Sequence, residues 1–160
     1  MTTAEEVREV LAVVTDPEIP VVTIADLGIL RDVQVDGGHV TVTITPTYSG
    51  CPAMEEIRAD IRSALAAHGV SDVDVRMTLS PAWTTDWMTE TGREALRSLG
   101  IAPPGPRPAG PVAVALSVRP RCPQCGSADT EELTRFASTS CKALWRCLTC
   151  REPFDYFKAH

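Results

Sequence analysis

The amino-acid sequence predicts an α+β fold in two parts, and three features of its 160 residues carry that prediction. Helix-like and strand-like patterns of apolar residues alternate through the first hundred residues. Residues 101–111 hold five prolines and two glycines, which neither a helix nor a central strand accommodates. Two Cys-x-x-Cys pairs follow. We therefore predict a small αββαβα mixed-sheet domain over residues 1–100, a Pro/Gly-rich linker over 101–111 and a zinc-ribbon domain over 112–160.

Apolar spacing predicts the first helix and the hairpin that follows it. The helix is marked by four apolar residues at helical intervals, namely Val7, Val10, Leu11 and Val14. It is expected to end before Asp16-Pro17. Apolar and polar residues then alternate on both sides of Asp36-Gly37-Gly38, a sequence typical of tight turns. This alternation predicts two antiparallel strands, the second extending from Val40 to Ile44.

A strand–helix–strand segment completes the first domain. Pro52 stands where the first helical residue is expected, which makes Cys51 the predicted N-cap of the second helix. A third strand is predicted from Val73 to Leu79, and a last helix from about residue 85 to residue 99. The crossover through the second helix should be right-handed, so that the strands on either side of it run parallel.

Composition and charge restrict the class of protein. Apolar residues make up 44% of the chain and charged residues 22%, as in ordered globular proteins. No apolar run reaches the roughly 18–20 residues of a membrane-spanning helix, and no signal sequence is visible, so we expect a cytoplasmic protein without membrane partners. Residues 1–110 hold 16 acidic and 8 basic side chains, and the net charge is −6. This argues against nucleic acid as a partner, because binding to phosphates needs a concentrated basic face.

Cys122, Cys125, Cys147 and Cys150 form a predicted four-thiolate metal site. Two residues between paired cysteines let a tight turn direct both sulfurs at one ion about 2.3 Å away. Four thiolates fill a tetrahedral sphere, which favours structural zinc over a catalytic ion with an open position. A bound iron or a redox dithiol remain alternatives. Cys141 lacks a partner at this short spacing and is interpreted as a small buried side chain.

Cys51 is the only cysteine of the first domain. A thiol at a helix N-terminus is stabilised as thiolate, and the thiolate is the nucleophile and the metal ligand. A small buried side chain is the alternative interpretation, and Glu55 and Glu56 would oppose the thiolate if they faced it. Asp16, Glu18 and Asp26 lie in acidic loops, where Asp16 could cap a turn and Asp26 could bond the backbone near Gly28.

Several motifs together resemble a known family. Asp16-Pro17-Glu18-Ile19-Pro20, Asp26-Leu27-Gly28 and residues 45–53 resemble the metal–sulfur cluster biosynthesis domain found in iron–sulfur assembly factors. The ribbon, with residues 138–144 and 152–158, is similar to that of the PaaD (also PaaJ) family, which is encoded with bacterial phenylacetyl-CoA ring epoxidases. The resemblance covers nearly the whole chain. It implies an accessory protein of aerobic phenylacetate degradation, not an enzyme, which helps mature the metal centres of the oxygenase.

The same resemblance assigns roles to individual residues. It implies that Cys51 is the functional thiol, and that it is supported by loop residues Asp16, Glu18, Asp26, Thr45 and Thr47. The implied cargo is a transient iron or iron–sulfur cluster, and the implied partners are the oxygenase and reductase components or other iron–sulfur clients. A cluster needs more thiolates than one chain offers at this position, which leaves room for a homo-oligomer. A zinc-ribbon adaptor without cluster chemistry, a nucleic-acid-binding ribbon and a thiol or redox enzyme are the alternatives.

Overall fold

A computed structural model describes residues 3–105 and 119–158, which form two compact units. Unit 1 comprises Met1–Trp83 and Trp87–Gly92, and unit 2 comprises Thr84–Asp86 and Arg93–His160. Residues 106–111 of the predicted linker lie outside the described residues. Among the helices that are described, none is long and apolar enough to cross a membrane.

Unit 1 contains the predicted helices and strands as far as residue 77 and one additional strand pair. In chain order the elements are α1 (Ala4–Leu11), β1 (Thr15–Asp16), β2 (Ile19–Thr23), β3 (Leu30–Asp36), β4 (His39–Ile44), α2 (Met54–Ala67) and β5 (Val73–Met77). β1 and β2 pair antiparallel and were not predicted. Prolines interrupt the apolar alternation in this segment, and β1 has only two residues, so periodicity carries no signal there.

The main sheet of unit 1 has the strand order β3-β4-β5. β3 and β4 form the predicted hairpin, with Val33 opposite Val42, whereas β5 runs parallel to β4, with Val75 opposite Val42. α2 connects β4 to β5 and packs against β5. It buries an apolar stripe that consists of Met54, Ile57, Ile61 and Leu65. The parallel crossover is therefore confirmed.

α1 and the last predicted helix differ in length from the prediction. A capping box between Thr3 and Glu6 starts α1, which ends at Leu11. Val14 instead accepts a backbone hydrogen bond from Ile24 at 2.9 Å and joins the strand region. The predicted helix over residues 85–99 is divided into a 3-10 turn, Thr85–Trp87, and α3, Glu90–Ser98.

The sheet of unit 2 has four strands in the order β6-β9-β8-β7. These strands are β6 (Ile101–Ala102), β7 (Thr130–Thr134), β8 (Lys142–Cys147) and β9 (Pro153–Phe157). β6 pairs parallel with β9, so the first two residues assigned to the linker form a strand. Trp145 and Phe154 form one buried cluster with two of the cysteines, Cys122 and Cys147. The buried core of this unit therefore includes two of the four candidate metal ligands.

Candidate functional site

Two similar turns bring the four predicted cysteine ligands of the ribbon together. In the first turn, Gly126 donates its backbone N–H to the carbonyl of Cys122 at 2.8 Å and has φ +75°. In the second, the N–H of Cys150 lies 3.5 Å from Sγ of Cys147, and Arg151 has φ 67°. In both turns the residue after the second cysteine is left-handed, which reverses the chain and directs both sulfurs to one point.

The sulfur positions fit a tetrahedral ion. Cys122 Sγ lies 3.7 Å from Cys150 Sγ, and Cys125 Sγ lies 3.6 Å from Cys147 Sγ. The four ligand atoms all lie within 4.8 Å of one another. Bonds of about 2.3 Å at tetrahedral angles place sulfurs about 3.8 Å apart, so these spacings suit zinc. Iron held by four thiolates fits the same cage, because its donor set is also sulfur.

Hydrogen bonds and neighbouring sulfurs shift the pKa values of two of the four cysteines in opposite directions. The backbone N–H of Cys150, followed by that of Thr149, lowers the pKa of Cys147 to about 6. At Cys150 the Glu152 N–H favours the thiolate, but burial and the neighbouring cysteine sulfurs outweigh it and raise its pKa to about 12. The opposite shifts at Cys147 and Cys150 are those expected where neighbouring thiols compete for ionisation, and a bound cation would favour the thiolate at both.

Cys141 lies outside this group of four. It is buried with 5% of its surface exposed, and Oγ1 of Thr139 lies 3.0 Å from its sulfur. This placement agrees with its interpretation as a small buried side chain. The aromatic residues at the end of the chain are also largely internal, since Phe154 and Phe157 are buried and Tyr156 packs edge-on against Trp145.

Cys51 lies in the turn between β4 and α2, and its predicted N-cap position is wrong. α2 begins at Met54, and its N-cap is Ala53, which makes no side-chain cap hydrogen bond. The chain instead forms a turn before the helix, in which Tyr48 O accepts the N–H groups of Gly50 at 2.9 Å and Cys51 at 3.3 Å. This turn delays the helix by two residues. Cys51 is half-buried in this turn and lies outside the cap of α2.

Buried threonines anchor the beginning of the Cys51 turn. Thr45 and Thr47 have exposures of 1% and 7%, and the Thr45 N–H donates to Ile29 O at 2.9 Å. Oγ1 of Thr45 has no hydrogen-bond partner within the part of the chain that the structure describes. Since Ser49 and Gly50 are exposed between the buried threonines and the buried Ala53, the thiol lies on a surface turn held at both ends.

Asp16 forms the turn predicted for it. Its Oδ1 accepts the backbone N–H groups of Glu18 at 2.8 Å and Ile19 at 3.0 Å, while the carboxylate-bearing residue is itself buried. Glu18 is partly exposed in the same turn. These contacts give Asp16 a structural role that joins β1 to β2.

Asp26 makes contacts different from those expected. Its carboxylate accepts hydrogen bonds from the hydroxyls of Thr23 at 2.8 Å and Thr89 at 2.6 Å, rather than bonding the backbone near Gly28. The two residues after Asp26 contact the chain segment that also contains Thr89. Leu27 O accepts the indole N–H of Trp83 at 2.8 Å, and a Cβ on Gly28 would lie 2.6 Å from Cβ of Trp87.

The acidic loops and the Cys51 turn are connected through the backbone. Thr23, which bonds Asp26, pairs with Thr15 next to Asp16. Ile29, three residues after Asp26, accepts the N–H of Thr45 at the start of the cysteine turn. Sequence reasoning missed Trp83 and Thr89, because their roles depend on contacts 56 and 63 residues away along the chain.

Comparisons with known protein families match two successive parts of the chain. The family model described as the PaaD zinc beta ribbon domain matches residues 108–158. The model described as an iron–sulfur cluster assembly protein matches residues 4–76. One match thus covers the four ribbon cysteines, and the other covers the turn that carries Cys51.

Individual proteins and one solved structure are similar to the same two parts of the chain. A protein of Escherichia coli K12, named as one subunit of a "Putative 1,2-phenylacetyl-CoA epoxidase", is 51% identical over 154 residues, covering 96% of this chain and 91% of that protein. A protein of Porphyromonas gingivalis named "Fe-S protein maturation auxiliary factor" is 41% identical over 101 residues, or 62% of this chain and 92% of its own. The crystal structure of a DUF59 domain from Bacillus anthracis superposes with a TM-score of 0.55 at 29% identity, covering 58% of this chain and 90% of that one.

Proposed function

We propose that this chain, which belongs to the PaaD family of epoxidase subunits, is an accessory protein for the assembly of protein metal centres. Its client is the phenylacetyl-CoA epoxidase system of aerobic phenylacetate degradation. The chain assists the iron–sulfur or di-iron centres of that system and does not oxidise the substrate. The observation that carries this proposal is a half-buried cysteine, on an anchored turn, inside the part of the chain that matches iron–sulfur assembly proteins.

Cys51 is proposed as the thiol that handles the cargo. The partly exposed turn lets the sulfur reach an iron ion or a cluster presented by another protein. One thiol supplies one ligand, whereas iron–sulfur clusters are commonly held by four cysteines. The remaining ligands must then come from the client or from a second chain. Such a shared site releases its cargo readily, because no complete ligand set stays behind.

The ribbon is proposed to hold structural zinc and to dock the client. The four thiolates complete the coordination sphere, so the ion has no position for substrate. Zinc instead holds β8 and the two turns around a core too small to be stable from apolar burial alone. Asp16 and Asp26 are proposed as positioning residues for the loops beside the Cys51 turn, with Glu18 in the same loop as Asp16.

Nucleic-acid binding is the weaker candidate. Among the basic residues that would contact phosphates, five already bond within the ribbon, namely Arg119, Arg121, Arg135, Lys142 and Arg146. Lys142 is also buried. These side chains would have to leave their partners before neutralising phosphates, which reduces the gain from counterion release.

The test of the proposed function is the replacement of Cys51 by Ser in a strain that grows on phenylacetate. We expect growth on phenylacetate to fail while growth on a carbon source outside this pathway is normal. Cys141→Ser is the matched control, because it changes a cysteine that belongs neither to the turn nor to the four-sulfur site. Normal growth of the Cys51→Ser strain, with fully metallated epoxidase components, would reduce the chain to an adaptor.

A further inference from the structure

β5 forms an edge of the main sheet in unit 1, and its backbone is regular. The strand pairs with β4 on one side, and α2 packs against it. Five consecutive residue pairs join β4 to β5, from Val40 opposite Val73 to Ile44 opposite Met77, without a register shift. Within residues 3–105 and 119–158, no strand pairs with the outer side of β5.

The outward-facing backbone groups of β5 follow from the groups that face β4. The Asp72 carbonyl accepts the Val40 N–H, and the Thr78 N–H donates to Ile44 O, both at 2.9 Å. Residues in a strand alternate between the two sides, so the even-numbered residues bond β4. The N–H and C=O groups of Val73, Val75 and Met77 therefore point away from the sheet.

The side chains of β5 are self-complementary about its centre. Asp74 and Arg76 lie on one face with a carboxylate–guanidinium distance of 2.7 Å, and both side chains are substantially exposed. Val75 is buried on the opposite face, where Met77 and the following Leu79 are 46% and 58% exposed. Apolar and charged residues thus recur symmetrically on either side of Val75.

We propose that β5 pairs antiparallel with β5 of a second copy of this chain, with the two-fold axis at Val75. The two Val75 residues then exchange both backbone hydrogen bonds, and Val73 does the same with Met77 of the partner subunit. Asp74 lies opposite Arg76 of the partner subunit in a pair with about 4.5 Å between Cα atoms, which suits a cross-strand ion pair. The two three-stranded sheets become one sheet of six strands.

Charge selects this register over its neighbours. Moving the axis by one residue places Asp74 opposite its own copy or Arg76 opposite its own copy, and like charges directly opposite each other are destabilising. Moving it to Val73 sets Asp74 against Asp72. An axis at Met77 pairs Arg76 with the neutral Thr78. An axis at Asp74 also brings Asp72 opposite Arg76 of the partner subunit, but it keeps the contact between the two Asp74 side chains. The axis at Val75 gives two pairs of opposite charge and no pair of like charge.

Other sheet edges are less suited to such pairing. β3 has a register irregularity between Leu30 and Asp32, and β7 has one between Glu132 and Thr134. Bulges of this kind disrupt edge pairing and are a common protection against association. A two-fold axis at the centre of β7 would also set Glu132 against its own copy. β5 combines a regular backbone with complementary charges, which makes a second copy its best partner.

Sedimentation equilibrium of the full, metal-loaded chain tests the pairing by charge reversal. We expect a concentration-dependent dimer between about 1 µM and 1 mM, since a short strand pair buries less than the roughly 1,200 Å² of a standard interface. Arg76→Asp should raise the dissociation constant roughly tenfold or more, because it sets Asp against Asp in both pairs. The double variant Asp74→Arg/Arg76→Asp should restore dimerisation. Arg97→Asp, which removes the exposed Arg97–Glu94 pair on α3, should leave it unchanged.

Amide hydrogen exchange of the unmodified chain gives a second readout that does not depend on how the variants fold. The amides of Val73, Val75 and Met77 should become protected as the concentration rises. Those of Asp74 and Arg76, which bond β4, should be protected at every concentration. A monomer up to 1 mM, a dimer insensitive to Arg76→Asp, or odd-numbered β5 amides that exchange equally at all concentrations would each overturn the proposal.

Discussion

Replacing Cys147 with Ser should unfold the ribbon, whereas the same replacement at Cys141 should not. Both cysteines are buried, with exposures of 0% and 5%, so the two substitutions remove the same atom from similar surroundings. Only Cys147 has its sulfur among the four that lie within 4.8 Å of one another. The difference between the variants therefore isolates the contribution of the metal from the contribution of packing.

The two substitutions should differ widely in the free energy of unfolding that they remove. Metal binding contributes about 10–16 kcal/mol in small structural zinc domains, which matches or exceeds the roughly 5–15 kcal/mol by which whole domains are stable. Losing a thiolate ligand thus removes enough free energy to unfold β7, β8 and β9. At Cys141 the Thr139 hydroxyl, 3.0 Å from the sulfur, can bond the new serine, and the expected cost is about 1–3 kcal/mol.

Zinc content and amide exchange measure the outcome. We expect about one zinc ion per chain for the unmodified protein and for Cys141→Ser, with slow exchange in β8. Cys147→Ser should bind far less than one zinc ion and lose that protection. A full zinc ion and a protected β8 in Cys147→Ser, or an equal loss of metal in Cys141→Ser, would show that the four sulfurs do not hold the ion.

Three further predictions concern unit 1. Gly28→Ala should destabilise it by more than about 2 kcal/mol in urea unfolding, because the new Cβ would lie 2.6 Å from another side chain at φ +73°. Gly37→Ala has a similar φ of +58° with open space around it and should cost only about 1 kcal/mol; equal costs would contradict the steric account. Thr89→Val should cost about 2–3 kcal/mol, because the hydroxyl donates to the Asp26 carboxylate and accepts the Gly92 N–H, and Thr89→Ser should cost less, as thermal unfolding can show. The Thr3 backbone N–H holds the pKa of Glu6 below its ordinary value of 4.5, so the capping box should stabilise α1 above pH 4.5 and weaken as pH falls through the lowered pKa; an NMR titration midpoint at or above 4.5 would contradict this.

Local patterns predicted those elements whose apolar residues have a single period. α2 and β4 are examples, since their buried faces are continuous stripes of Ile, Leu and Val. The ribbon turns could also be predicted from the sequence, because the Cys-x-x-Cys spacing itself dictates a tight reversal of the chain. The start of α2 could not be predicted in this way. The turn closed by Tyr48 O competes with the helix for the same residues, and local propensity cannot decide between the two.

Long-range contacts account for what the sequence did not show. The Asp26 loop looked self-contained, yet its partners are Thr89 and, through Leu27, Trp83. β6 lies in a proline-rich segment and becomes a strand only because β9 offers it a parallel partner. In both cases the deciding interaction joins residues more than fifty positions apart, which periodicity does not register.

The iron content of the epoxidase components tests the role of Cys51 most directly. The components would be purified from phenylacetate-induced cells carrying the unmodified chain, Cys51→Ser or Cys141→Ser, and their iron and acid-labile sulfide would be measured per chain. We predict full loading with the unmodified chain and with Cys141→Ser, and a loss of most of the iron or sulfide with Cys51→Ser. Equal loading in all three strains would contradict the assignment of Cys51 as the thiol that handles the cargo.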